Sequence, residues 1–126
     1  MSGTRLEVER MNDIETVTMF RPTGPEELEL VKQSEYKKWP PRLPAQPIFY
    51  PVTNEEYARE IAERWNVKDS GKGFVTKFAV RKSFMDKYEV QKVGSMHHTE
   101  WWIPAEELDA LNDNIVEKIE VVAEYP

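Results

Sequence analysis

The sequence predicts a mixed α+β domain with about three helices, its elements following the order β-α-β-α-β-β-β-α-β. Three observations carry that prediction. GFVTKFAVR alternates along Phe74, Thr76, Phe78 and Val80 against Val75, Lys77, Ala79 and Arg81, which is the period of a strand. NEEYAREIAERWN and AEELDALND instead repeat apolar residues at helical spacing. WPPRLPAQP, ahead of these segments, and DSGKG, between the first helical pattern and the strand, are dense in proline or glycine and break the chain into units.

Taken in order, residues 1–15 read as a frayed lead-in with little periodicity, and residues 16–126 as one domain. Val17 to Phe20 form a short strand. Thr23 and Glu26 have the spacing of a capping box, and Pro25 suits a first helical turn, so a helix runs to about Ser34 and buries Leu28 and Val31. WPPRLPAQP must be extended or turned, because each proline turns its predecessor away from helix. Ile48, Phe49, Tyr50 and Val52 are β-branched or aromatic and suit a buried strand interrupted at Pro51. Thr53 and Glu56 again have capping-box spacing. Tyr57, Ala58, Ile61, Ala62 and Trp65 then form one apolar helical face ending near Asn66, with Trp65 expected to be buried. After the strand from Gly73, SFMDKY is a turn or short helix, and YEVQKV a strand. HHTEWWIP ends in a strand, Pro104 opens a helix that carries Leu108 and Leu111 inward, and KIEVVAEY closes the chain as a strand.

Composition narrows the function. A chain of 126 residues with 40% hydrophobic and 11% aromatic residues can build one core, and 32% charged residues keep it in water. Its mean hydropathy is -0.67. There is neither an apolar run long enough for a membrane helix nor a secretory signal, so a cytoplasmic location is expected. Without cysteine there is no disulfide, thiol nucleophile or zinc-thiolate site. A net charge of -6 argues against a nucleic-acid partner, and the cluster Lys32, Lys37, Lys38 and Arg42 reads as a solvated face.

Three residue types stand at strand ends. Arg21 follows the first strand and offers a bidentate cation to a phosphate or carboxylate, or to a structural acid of the chain. Phe49 and Tyr50 end the second strand on opposite faces, so one packs inward while the other lines any cleft and could stack on a planar ring. Glu100 lies beside Trp101 and Trp102, where partial desolvation would suit it to stabilising a cation. His97 and His98 are neighbours, which a strand would point to opposite faces, so no metal site is expected.

FRPTGPEELELVKQS, PPRLPAQPIFYPVTNEEYAREIA and TEWWIPAEEL resemble short bacterial proteins of the ADP-ribosylation/crystallin group, over nearly all of Val17 to Tyr125. Too short and strand-rich for an all-helical glycohydrolase, the chain is similar in layout to the ADP-ribosyltransferase fold, a split and mostly antiparallel sheet. The resemblance implies an NAD-dependent mono-ADP-ribosyltransferase, with NAD and an unknown acceptor as its partners. Arg21 would hold the diphosphate or ribose, and Tyr50, with Phe49 beside it, would take the nicotinamide. Glu100 would be the catalytic residue, binding the ribose 2′-hydroxyl and favouring an oxocarbenium-like state. Such a site requires Arg21, Tyr50 and Glu100 to converge on one cleft, with Arg21 and Glu100 on the same face. The alternative is a non-catalytic module that docks a protein partner on an exposed Trp39 among stiff prolines.

Overall fold

The structure, a computed structural model, describes residues 14–126. The expected lead-in of residues 1–15 falls mostly outside this range, although the Glu15 carbonyl already accepts from the Lys82 amide at 2.9 Å. A three-stranded antiparallel sheet forms the centre, in the order β1 (Thr16–Thr23), β3 (Gly73–Arg81) and β7 (Ile115–Tyr125). Among the described residues two short pairs complete the strands: β2 (Ile48–Phe49) with β6 (Ile103–Pro104), and β4 (Val90–Lys92) with β5 (Thr99–Trp101). Val52 forms isolated antiparallel bridges to Phe20 on one side and Glu100 on the other. It therefore joins these pieces into one layer. The pairing of Ile48 with Pro104, Phe49 with Ile103 and Val52 with Glu100 keeps a single register along both segments. This is the mixed α+β domain that the sequence predicts.

Each face of the layer carries its own apolar cluster. Val17, Met19, Phe78 and Val80 pack with Val31, Trp39, Phe49, Trp101, Ile103, Leu108, Leu111 and Ile119 on one side. On the other, Phe20, Val52 and Val75 pack under Tyr57, Ala58, Ile61 and Ala62. The first face is covered by helix α1 (Pro25–Gln33), which buries Val31, and by α5 (Leu108–Asp113), which buries Leu108 and Leu111. A second helical run covers the other face, starting with α2 (Glu55–Ile61), opening into a π turn over Ala62–Asn66, and closing with α3 (Val67–Ser70). A single turn, α4 (Lys82–Met85), follows β3.

Several local expectations are corrected. The caps fall one residue later than the capping-box spacing implies. Gly24 is the N-cap of α1, and Asn54 caps α2 by accepting from the Tyr57 amide at 2.8 Å. The second helical run passes Asn66 and ends at Gly71, whose φ of +78° suits glycine. Trp65 is 60% exposed rather than buried. The π turn, in which the Val67 amide reaches back to the Ala62 carbonyl, adds a residue to the turn and rotates Trp65 off the apolar stripe. Trp39, expected outside, is 2% exposed. Its ring packs 5.1 Å from Phe78 and 5.5 Å from Phe49, and Asn112 bonds both its backbone amide and its carbonyl. The proline segment carries this large ring into the core, so Trp39 cannot be an exposed docking residue.

Candidate functional site

The site begins with a missing rung. Phe20 and Val52 exchange both backbone hydrogen bonds, at 3.0 and 2.7 Å. Continuing that ladder by two residues would set Pro22 against Tyr50, and proline has no N–H to donate. The strands part there and leave a cleft of about 320 Å³ lined by Arg21, Pro22, Tyr50, Val52, Ile61, Asn66 and Glu100. Residues distant in sequence, Arg21, Tyr50 and Glu100, thus border one cavity. A larger depression of about 410 Å³ lies between Ile14, Glu15, Arg81, Lys82, Ser83 and Asp86. Its acid Asp86 is already paired with Lys82, at 2.9 Å on the surface, and it has no buried polar group to orient a ligand.

Glu100 is 9% exposed, and both of its oxygens are engaged. Tyr57 donates its hydroxyl to Oε1 at 3.1 Å, and Trp102 donates Nε1 to Oε2 at 2.8 Å. Each carboxylate oxygen keeps a lone pair for a further donor. Burial, and then the adjoining Glu100 charge, push the Tyr57 hydroxyl up to about 12, so it stays a donor at neutral pH. Tyr50 and Trp102 are 43% and 47% exposed. In the register of the two segments they lie opposite each other, two residues from the Val52–Glu100 bridge and on the same face. Asn66, carried to the cleft by the π turn, has its Oδ1 buried without a hydrogen-bond partner.

The Arg21 side chain takes a different direction. Alternation along β1 turns it to the face of Met19, opposite to Phe20 and Glu100. There Nε and Nη2 bond Glu27 at 2.6 and 2.8 Å, and the guanidinium lies 4.5 Å over the Phe49 ring and 5.6 Å from Trp39. The same-face expectation for Arg21 and Glu100 is therefore corrected. Phe49 is 1% exposed and belongs to the core beneath Arg21, so it packs inward and does not line the cleft. Arg42 joins the group, reaching Glu27 at 3.4 Å and Phe49 at 5.8 Å. Two guanidinium groups thus share one carboxylate. Burial and then the Arg21 charge lower the Arg42 pKa, against the opposing pull of Glu27. Arg42 read as part of a solvated basic run in the sequence; the chain turns at residues 43–46 just after it, and its side chain lies inward, where its Nε bonds the Ile48 carbonyl at 3.2 Å.

A polar cluster continues from Tyr57 on the Glu100 side. His98 stacks on the Tyr57 ring, with centroids 4.5 Å apart and planes 19° from parallel. His98 Nε2 meets Glu60 Oε1 at 3.3 Å, and His97 Nε2 meets Glu60 Oε2. The two histidines do not diverge as a strand would require, because they occupy the turn before β5, closed by the His98 amide on the Ser95 carbonyl at 2.9 Å. Sequence spacing could not find this convergence, since it depends on where the turn docks on α2. The bond with His97, foremost, holds the Glu60 carboxyl below its ordinary range.

Among protein families, characterised proteins and solved structures, the chain finds no match. No helix among the described residues is long and apolar enough to cross a membrane.

Proposed function

We propose that the chain binds NAD in the cleft between β1 and the Tyr50 segment and acts as an ADP-ribosyltransferase-like protein, with Glu100 as its catalytic carboxylate. The observation that carries this reading is Glu100 at the cleft, both of its oxygens held by Tyr57 and Trp102, beside the exposed rings of Tyr50 and Trp102. The Arg21 side chain is turned to Glu27 on the opposite face and anchors nothing in this reading. NAD offers a cationic pyridinium ring joined to ribose, which matches a carboxylate set beside aromatic rings. The ring would lie against Tyr50 and Trp102, where a cation gains from both the aromatic faces and the nearby carboxylate. Glu100 would accept from a ribose hydroxyl and stabilise the positive charge that develops as the glycosidic bond breaks. Tyr57 and Trp102 hold that carboxylate in place. A volume of about 320 Å³ suits the nicotinamide-riboside half, with the rest of the cofactor outside.

A second reading, binding without transfer, is favoured by one fact: Arg21 is already bidentate to Glu27 and turned away from Glu100. Titration of NAD followed by tryptophan fluorescence, together with an assay of nicotinamide release, separates the two. Transfer or hydrolysis predicts both binding and release, with Glu100→Gln losing release while the fold persists. Binding without release supports the second reading. No binding at millimolar NAD, with no release, ends both.

A further inference from the structure

We propose that Glu60, His97 and His98 form a binding site for a divalent transition-metal ion, with Zn²⁺ as its representative occupant. The site is separate from the NAD reading and does not depend on it. Both of the chain's histidines are used. Their Nε2 atoms approach opposite oxygens of the same carboxylate, and the three potential ligand atoms lie within 4.8 Å of one another. Two imidazoles and one carboxylate make up a common donor set for zinc and neighbouring metals. With bonds of about 2.0–2.2 Å, ligand atoms on a tetrahedral ion stand roughly 3.3–3.6 Å apart, so small side-chain rotations close the trio on a metal.

The surroundings hold these side chains in position. Asn54 caps α2 through Oδ1 and with Nδ2 bonds the His97 carbonyl at 2.7 Å, which fixes the histidine turn to the helix that carries Glu60. Tyr57 packs flat against the His98 ring. Gly94 makes room on the other edge: a Cβ there would stand 2.6 Å from His98 Nδ1. Side-chain exposures of 26% for Glu60 and His98 and 35% for His97 leave an open side. Water can complete the coordination there, and Glu56, whose Oε1 is 4.0 Å from His97 Nε2, can reach the same ion. Orientation of metal ligands by such outer partners is a regular property of built sites.

The test uses the full chain without an affinity tag. Zn²⁺ is titrated by calorimetry and by NMR of the two histidine rings. The expected result is one Zn²⁺ per chain, with the ring signals of His97 and His98 shifting together and reaching their end point at one equivalent. Glu60→Gln and His98→Gln should each weaken binding at least tenfold while the circular dichroism of the fold is kept, and Gly94→Ala should weaken it by displacing His98. The proposal is overturned if the wild-type chain does not bind Zn²⁺ below about millimolar concentration, if only one histidine responds, or if folded Glu60→Gln binds as tightly as wild type. The ring signals of the wild type decide the matter even where a variant does not fold.

Discussion

Phe20 and Val52 exchange both of their backbone hydrogen bonds, and theirs is the last rung before β1 and the Tyr50 segment separate. The separation follows from Pro22, which occupies the position that would have to donate next. Replacing Pro22 with valine restores the donor and supplies a residue that favours strands. The ladder should then extend toward Tyr50 and narrow the cleft. Pro22→Val is expected to keep or raise the melting temperature while NAD affinity falls several-fold. Unchanged affinity in a folded variant would show that the missing donor is not what keeps the cleft open.

Two tryptophans should respond in opposite ways to truncation. Trp39 fills the core between Phe49 and Phe78, whereas Trp65 stands in solvent. Trp39→Ala should cost roughly 3–5 kcal/mol, the usual range for emptying a large aromatic site. Trp65→Ala should stay within about 0.5 kcal/mol, as surface changes do. Urea denaturation of both variants checks the order, and equal losses would contradict the burial of Trp39.

This pair also shows where sequence patterns stop being informative. The alternation from Phe74 to Val80 reports which face each residue takes, with Phe78 and Val80 in one cluster and Val75 in the other, and the spacing of Leu108 and Leu111 reports their burial, because regular elements repeat a fixed geometry. Trp65 is misread because the pattern assumes i→i−4 bonding, and the π turn at Ala62–Asn66 shifts the register by a residue. Trp39 is misread because lysines and prolines surround it, although the fold bends that segment inward. Arg21, Tyr50 and Glu100 border one cleft, but not as strand ends, since Arg21 lies inside β1 and Glu100 in the middle of β5. The orientation of the Arg21 side chain was not legible, since the strand phase of β1 is fixed only by pairing with β3. The convergence of His97 and His98 on Glu60 depends on a turn docking on a helix, a tertiary contact with no local signature.

Gly73 explains how the π turn is accommodated. A Cβ at this position would fall closer than 3.0 Å to the Ala62 carbonyl oxygen and 3.1 Å from Asn66 Cβ. Both obstacles belong to the π segment, and a backbone carbonyl cannot rotate away as a side chain can. Gly73→Ala should therefore destabilise by about 1–3 kcal/mol, the scale of overpacking, despite the normal preference of strands for a side chain. It should also weaken any ligand that bonds Asn66. A melting temperature at or above that of the wild type would show that the π turn relaxes without cost.

Alkaline pH should reveal two distinct tyrosines. Burial raises both Tyr57 and Tyr88, followed by the Glu100 charge for the first and the bond to Glu107 for the second. A folded pKa raised above the unfolded value near 10.0 means that the stability these hydroxyls contribute is complete below pH 10 and lost as pH climbs through the folded values. In a spectrophotometric titration of the folded chain, Tyr57 and Tyr88 should ionise above the ordinary tyrosine range. Tyr88→Phe should remove one late-titrating group and flatten the alkaline fall in stability. Ionisation of Tyr57 and Tyr88 within the ordinary range in the folded chain would contradict these environments.

Glu27 is the carboxylate that two arginines share on the face opposite Glu100. It accepts two bonds from Arg21 and a third from Arg42, with side-chain exposures of 11%, 10% and 21% for Arg21, Arg42 and Glu27. Glu27→Gln keeps the shape but leaves two largely buried guanidinium groups facing each other without a counter-charge. Removing one partner of a buried ion pair costs roughly 3–5 kcal/mol, and partial solvent access here brings the expectation to about 2–3 kcal/mol. The loss has a signature that distinguishes it from simple misfolding. An added anion can take the place of the carboxylate, so millimolar inorganic phosphate should raise the melting temperature of Glu27→Gln more than that of wild type at matched ionic strength. The same rise from chloride alone would reduce the effect to general screening, and no loss of stability in Glu27→Gln would mean that the two arginines are solvated without it.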